Sequence, residues 1–406
     1  MPVVLIGTLD TKGTEFQFVR ELLQELGLKT LVIDAGVQGS PVFAPDISRD
    51  ELFAAAGTSA DAVRQTGDRG AAVEAAVRGA ARLLPELFAQ GRVEGVLGLG
   101  GSAGTTIGTA AMRALPFGVP KLMVSTLASG QVRQYVGIRD IFMLHSVVDI
   151  SGLNRISRTV LANAAHAMAG MVAHRRQTVD STCARPLVAA TMFGVTTPCV
   201  DAARRRLEQS GYEVVVFHAT GTGGLTMESF IADGLFCGIL DLTTTELADE
   251  LVGGILTAGP ERLTAAGRRG IPQVISVGAL DMVNFGPEDS VPERFRERRF
   301  YRHNSSVTLM RTTPAENSKL GREIADKANA SCGPTALLLP LRGISAIDAE
   351  GQPFWWPEAD AALFTEIRGH LKPEVRLIEI DAHINDPIVA VTATDTLLEL
   401  LRIKRN

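Results

Sequence analysis

Two glycine-rich clusters carry the chemistry that this sequence advertises, and both suit the binding of a phosphate. The first is Gly7-Thr8-Leu9-Asp10-Thr11-Lys12-Gly13. Its glycines permit a tight turn, the hydroxyls of Thr8 and Thr11 can donate to phosphate oxygens, and the Lys12 ammonium can neutralise their charge. Asp10 has the chemistry either to hold Mg²⁺ or to fix the loop. The GxxxxGK[ST] spacing of a Walker A loop is absent. An ordinary turn between strand and helix, capped by Asp or Thr, uses the same residue types.

The second cluster, Gly98-Leu99-Gly100-Gly101-Ser102-Ala103-Gly104-Thr105-Thr106, is the stronger signal. A run of backbone free of large side chains, followed by Thr105 and Thr106 at a helix start, can wrap a polyphosphate in a nest of N–H groups. Close packing of a helix on a strand also asks for glycine there. Gly36, at the strand end Asp34-Ala35-Gly36, joins Gly7, Thr8, Asp10, Thr11, Lys12, Gly100, Gly101, Ser102, Gly104 and Thr105 in the expected cofactor-binding set. A dinucleotide fingerprint needs an acidic residue about 20 positions beyond its glycines, and none is evident, which weakens a dehydrogenase reading.

The second half repeats the logic at Gly194-Val195-Thr196-Thr197-Pro198 and His218-Ala219-Thr220-Gly221-Thr222-Gly223-Gly224, where a second anion site is expected. For His218 a structural role weighs as much as a chemical one. Farther on stand Arg302-His303-Asn304, Arg311, Arg342 and the run Asp381-Ala382-His383-Ile384-Asn385-Asp386-Pro387. Arginines and histidines at strand ends can grip a carboxylate or phosphate and move its proton. The catalytic candidates are therefore His218, His303, Arg311, Arg342, His383 and Asp386. His383 with Asp381 or Asp386 also has metal-ligand chemistry, while Asn385 and Asp386 before Pro387 equally suit a helix cap.

Loops of this kind work when strands end and helices begin at one edge of an open α/β sheet, where free N–H groups and positive dipole ends gather. The pattern of apolar runs supplies such elements. Strands are expected at residues 3–6, 31–33, 96–99, 122–124 and 143–148, with helices at 14–26, 51–56, 71–90, 106–114 and 156–172. A polar stretch ending in a proline, residues 177–186, reads as a link, after which the alternation restarts. Strands are expected at 187–191, 214–217, 236–240, 274–277, 335–339 and 375–380, and helices at 200–209, 246–256, 315–330, 359–371 and 388–401. Residues 281–307, rich in charge and without period, read as a long functional loop or lid. The fold class is then α/β: two Rossmann-like doubly wound domains with mostly parallel sheets, residues 1–178 and 187–406 around a linker at 179–186, with a cleft between them.

Composition narrows the partners. The chain has 406 residues, is 46% hydrophobic and only 5% aromatic, which suits helices on buried parallel strands and a length that divides into two domains. Forty basic against 45 acidic residues give a net charge of -5 with no basic block, so nucleic acid is not an expected partner. Four scattered cysteines form no CxxC pair, which speaks against structural zinc and a disulfide framework. No run approaches the roughly 18 to 20 apolar residues of a membrane span, and the start Met1-Pro2 followed by residues 3–6 reads as a first strand rather than a signal peptide. A cytoplasmic location is expected.

The motifs GTLDTKGTE (7–15), GLGGSAGT (98–105), ATMFGVTTPCV (190–200), HATGTGG (218–224), RHNSSVTLMRTTPAE (302–316) and HIND (383–386) together resemble one family across nearly the whole chain. It is the largely uncharacterised bacterial and fungal family that matches the N-terminal ATP-binding domain of the tomato protein conferring resistance to tobamovirus. The resemblance implies two Rossmann-like subdomains, ATP held by the first, and self-association into dimers. It points at Thr8, Asp10, Thr11 and Lys12 and at Gly100, Gly101, Ser102, Gly104 and Thr105, the loops that the residue chemistry selects. The plant protein continues into a TIM-barrel-like domain, and no activity of that barrel is expected within this chain.

Three functions compete on this basis. One is an ATP-binding enzyme acting on a small acidic metabolite at the cleft, with Mg²⁺ as a candidate companion ion. The second is an ATP-binding regulatory or partner-binding module without turnover. The third is a dinucleotide-dependent oxidoreductase. The polar cluster of the second half favours the first.

Overall fold

The computed structural model describes residues 1–178 and 185–403. Residues 179–184 of the expected linker lie outside the described residues. The chain divides into two compact units, Met1–Thr182 and Cys183–Asn406.

The N-terminal unit runs β1 (Val3–Gly7), α1 (Leu9–Glu25), β2 (Thr30–Asp34), α2 (Arg49–Ala55), α3 (Ala60–Gln65), α4 (Arg69–Ala89), β3 (Gly95–Gly100), α5 (Ser102–Arg113), β4 (Lys121–Ser125), α6 (Arg133–Val136), β5 (Phe142–His145) and α7 (Arg155–Thr178). Its five strands are parallel in the order β2-β1-β3-β4-β5. Strands β1 and β3 are buried along their whole length, because side chains alternate between two helix-covered faces. Val3 and Leu5 pack with Phe16 and Val19 of α1 and Leu161 of α7, whereas Val4 and Ile6 pack with Leu52 of α2, Ala76 of α4 and Ile107 of α5.

The second unit runs β6 (Leu187–Met192), α8 (Thr197–Gln209), β7 (Glu213–His218), α9 (Thr222–Ala232), β8 (Gly238–Thr243), α10 (Glu246–Val252), α11 (Ala265–Arg269), β9 (Gln273–Gly278), β10 (Met282–Phe285), β11 (Phe300–Asn304), β12 (Val307–Arg311), α12 (Pro314–Asn329), β13 (Thr335–Pro340), α13 (Pro357–His370), β14 (Arg376–Ile380) and α14 (Pro387–Ile403). Six of its strands form a parallel sheet, β14-β13-β9-β8-β6-β7. The lid expected at residues 281–307 is instead part of an antiparallel sheet, β10-β12-β11. Val283, Phe285 and Met310 of that sheet are buried with Phe295 of the same segment, which makes it a packed layer. No helix of the described residues is long and apolar enough to cross a membrane.

Candidate functional site

In the N-terminal sheet the chain steps from β1 to β2 on one side and then to β3 on the other. The crevice at the carboxyl ends of β1 and β3 is therefore a topological switch point, the place where open α/β sheets present ligands. A cavity of about 410 Å³ opens there. Thr8, Asp10, Thr11 and Lys12 line it from the loop after β1, and Gly100, Gly101, Ser102 and Gly104 from the loop after β3. The two glycine-rich clusters, about 90 positions apart in sequence by simple residue count, thus share one space.

Their contributions differ. Helix α5 begins at Ser102, earlier than the sequence indicates, with Gly101 as N-cap and no side chain on its cap. The first-turn amides of Ser102, Ala103 and Gly104 have no acceptor inside the helix, and among the described residues no carboxylate accepts from them. A helix start of this kind has the chemistry to seat an anion from outside the chain. Gly100 and Gly104 also serve close packing: a Cβ on Gly100 would stand 3.0 Å from the Gly104 Cα, and one on Gly104 would stand 3.1 Å from the Leu99 carbonyl oxygen. Thr105 belongs to the core rather than the cavity. It is fully buried, and its hydroxyl meets the Ser125 hydroxyl at 2.7 Å.

The start of α1 is already occupied. Asp34, buried at the end of β2, accepts from the amides of Leu9 at 3.1 Å and Gly36 at 2.9 Å, and its other oxygen pairs with Arg49 at 2.7 Å. Asp10 takes the loop-fixing role of its two candidate roles: its Oδ2 accepts from the amides of Gln38 at 2.9 Å and Gly39 at 3.2 Å. Gly36 is needed because Asp10 lies against it, so that a Cβ there would sit 2.5 Å from the Asp10 carboxyl carbon. Gly7 answers to Phe16, whose ring would stand 2.3 Å from an added Cβ. Gly7 and Gly36 shape the loops without lining the cavity. Thr8 and Thr11 share a hydroxyl contact of 2.7 Å, and the Lys12 ammonium donates to the Ile150 carbonyl. Lys12 itself has φ -128° and ψ 16°, which breaks the helix after its first turn.

Sequence reasoning missed the far wall, where Val37 and Gln38 of the loop after β2, Arg69, Ala72 and Val73 of α4 and Asp149 beyond β5 also line the cavity. The signal was available in principle. A helix that precedes a parallel strand begins at the same edge as the phosphate loops, so the residues after the N-cap Asp68 had to approach the switch point.

The second unit shows the same strand step, from β6 to β7 and then across to β8, but the starts of α8 and α9 meet side chains of the unit itself. Glu246 Oε1 accepts from the amides of Gly221 at 2.7 Å and Gly224 at 3.0 Å, which takes up the anion site expected at residues 218–224. Glu246 in turn faces Arg262, a fully buried guanidinium that also binds Asp241 in bidentate fashion at 2.5 and 2.7 Å. At α8 the Cys199 amide donates to Asn385 Oδ1 at 3.4 Å.

The expected polar cluster is largely engaged in the same way. Arg311 is fully buried and donates to Asp360 at 2.7 Å, to Asp348 at 3.3 Å and to the Phe354 carbonyl at 2.7 Å, so it is closed to a dissolved substrate. Burial of three carboxylates around one guanidinium pushes Asp281 up to about 6, Asp348 to about 6 and Asp360 to about 7. His383 accepts the Asn385 amide on Nδ1 at 3.2 Å and donates from Nε2 to the Ser345 carbonyl at 2.8 Å, so both ring nitrogens have partners. Ser345 links onward to Asp281 at 2.7 Å, which places His383 and Arg311 in one connected network. Asp386 accepts the His383 amide at 2.8 Å and caps the turn into α14. Arg342 forms an exposed pair with Asp381 at 2.6 and 2.7 Å. His303 is exposed on β11, and His218 meets the Phe193 ring edge-on at 5.4 Å. Neither joins the His383 network through a described hydrogen bond. Among the described residues no group of three or more His, Cys, Asp or Glu is gathered to hold a metal ion.

Comparison with known proteins agrees with the division of the chain. Residues 1–177 match the N-terminal domain model, and residues 185–401 the C-terminal domain model, of an uncharacterised protein family (UPF0261). A UPF0261 protein of Clostridium tetani is 48% identical over 400 residues, covering 98% of each chain. A second, from Rhizobium meliloti, is 46% identical over 96% of this chain and 97% of the relative. The tomato protein described as ToMV resistance protein Tm-1(GCR237) is 40% identical over 98% of this chain, which spans 55% of the tomato protein's length. Among solved structures, a Streptomyces glycosyltransferase complexed with thymidine diphosphate aligns at 14% identity over 68% of this chain and 81% of its own, with a TM-score of 0.17. A putative UDP-N-acetylglucosamine 2-epimerase from Listeria monocytogenes aligns at 12% identity over 97% and 94%, with a TM-score of 0.22.

Proposed function

The chain belongs to the uncharacterised protein family UPF0261, and from that premise we propose that its N-terminal unit binds a nucleotide polyphosphate, ATP, in the switch-point cavity. The observation that carries the reading is the open start of α5. Its first-turn residues Ser102, Ala103 and Gly104 line a cavity of about 410 Å³, a size that suits a small-molecule ligand. ATP is the nucleotide that the motif resemblance implies, and the cavity joins the two loops that carry those motifs.

The case for an enzyme acting on an acidic metabolite rested on the polar cluster of the second half. Arg311, Arg342, His383 and Asp386 all have internal partners, which favours a nucleotide-binding module that works through regulation or a partner. The free thiols of Cys199 and Cys332 fit a reducing, cytoplasmic setting.

Gly101→Val tests the site. Gly101 has φ -81°, which any residue adopts, and a Cβ there meets nothing closer than the Thr126 hydroxyl at 3.7 Å. The fold should therefore survive while the added methyl groups cover the amides. Titration calorimetry is expected to show ATP binding by the wild type and none by the variant. Unchanged ATP affinity in Gly101→Val removes α5 from the site.

A further inference from the structure

Two basic side chains line the cavity of the N-terminal unit, and they differ in what holds them. The Lys12 ammonium donates to the Ile150 carbonyl. Arg69 is exposed on the cavity wall and has neither a hydrogen-bond nor an ion-pair partner among the described residues. Its sequence neighbour Asp68 is no counter-ion for it, because that carboxylate caps α4, accepting from the amides of Gly70 at 2.7 Å and Ala71 at 3.2 Å. Neither acid that lines the cavity pairs with Arg69 among the described residues: Asp10 accepts from Gln38 and Gly39 on Oδ2 and leaves Oδ1 unpartnered, and Asp149 accepts from the Ile150 amide at 2.9 Å.

Topology places this arginine beside the anion seat. Helix α4 leads into β3 and α5 leads out of it, so in a parallel sheet both helices begin at the carboxyl edge. Arg69 is the first residue of α4, and Ala72 and Val73, on the same helical face, are apolar. One wall of the cavity thus offers a single unpaired guanidinium, and another the open amides of Ser102, Ala103 and Gly104.

We infer that Arg69 sets the length of phosphate chain that this site prefers. One phosphate sits on the amides of α5, and the guanidinium takes an outer phosphate of the same chain. The inference rests on the nucleotide reading above and deepens it. A helix start holds one phosphate whatever chain it ends, whereas a guanidinium fork adds binding only when a second anionic group reaches it. Affinity then climbs from AMP through ADP to ATP, and Arg69 is the source of the climb.

The test is calorimetry of ATP, ADP and AMP with the wild type, Arg69→Ala and Arg69→Lys, with thermal melts to confirm that each variant is folded. Loss of charge-assisted bonds in Arg69→Ala should weaken ATP by roughly tenfold or more and leave AMP within about twofold of wild type. Arg69→Lys should restore part of the ATP preference, since it keeps the charge without the fork. Equal losses for all three nucleotides would place Arg69 on the base or ribose and overturn the inference, as would an unchanged ratio of ATP to AMP affinity. Absence of binding by every nucleotide to the wild type overturns the nucleotide reading as well. Loss of binding in Gly101→Val beside an unmoved ratio in Arg69→Ala overturns this inference alone.

Discussion

The carboxylate of Glu246 stands 2.7 Å from the amide of Gly221 and 3.0 Å from that of Gly224, at the start of α9, where the glycine-rich run 218–224 suggests a ligand's anion. In the first unit the start of α5, after β3, has no such internal carboxylate among the described residues. Two sheets with the same initial strand step therefore differ at their glycine-rich helix starts: in the second unit the negative charge is supplied by Glu246, the first residue of α10, which follows β8.

Removing that internal anion should be costly. Glu246→Ala leaves Arg262 buried with one carboxylate fewer and frees two amides, a change expected to destabilise the second unit by about 3 to 5 kcal/mol. Urea unfolding followed by tryptophan emission reads this, because both tryptophans, Trp355 and Trp356, lie in the second unit. A midpoint equal to wild type would show that Glu246 contributes little there.

The first loop makes a steric prediction. Gly7→Ala drives a methyl group into the Phe16 ring, which would have to retreat from 2.3 Å, and overpacking of that kind costs about 1 to 3 kcal/mol. A lowered melting temperature is expected, and Phe16→Leu in the same chain should recover part of it. Additive losses in the double variant would separate the two residues and refute the packing account.

Stability of the second unit should depend on pH in an unusual direction. Asp281, Asp348 and Asp360 are raised to about 6, 6 and 7 by burial, and Asp249, buried against Asn284, to about 7. A carboxyl raised in the folded state binds its proton more tightly there than in the unfolded chain. Its contribution is complete below the ordinary carboxylate range and is lost as pH rises through 6 to 7. Carboxylates that are lowered, such as Glu94 and Glu316, titrate below that window. The urea midpoint should therefore fall between about pH 5 and pH 8, and Asp360→Asn should flatten the slope. A midpoint that rises over this interval contradicts the assignment.

Self-association is the remaining expectation of the family resemblance. Phe142 and Val147 are 51% and 63% exposed at the edge strand β5 and just beyond it, apolar surface that a partner copy would cover. Light scattering at micromolar concentration should return the mass of a dimer; a monomer would refute it.

Much of this architecture is legible in the sequence because buried parallel strands announce themselves as short apolar runs, and the loops that follow them hold the glycines. The start of α5 was less visible. Gly-Ser-Ala-Gly carries no apolar period, so the helix seemed to begin at Thr106 rather than Ser102. Strand β11 was hidden for a related reason: Arg302, His303 and Asn304 are all exposed in succession, and only pairing with β12 makes them a strand. Arg311 displayed its charge in the sequence but not its company, since Asp348 and Asp360 lie 37 and 49 positions away. Arg69 was invisible as a site residue because nothing local distinguishes it from any other arginine in the first turn of a helix.

The grip of Lys12 on the Ile150 carbonyl, with Glu15 accepting the Gly152 amide at 2.6 Å, ties the beginning of the first unit to a segment 138 and 137 residues later. Contacts so distant along the chain form late in folding, because a long loop must close before they can hold. A nascent chain that has emerged only as far as β5 already contains both glycine clusters, but its first loop still lacks the residues that clamp it. On the nucleotide reading proposed above, binding competence is expected as one of the last events in the maturation of this unit, and a truncation before Ile150 would preserve both glycine-rich motifs while leaving that loop unfinished.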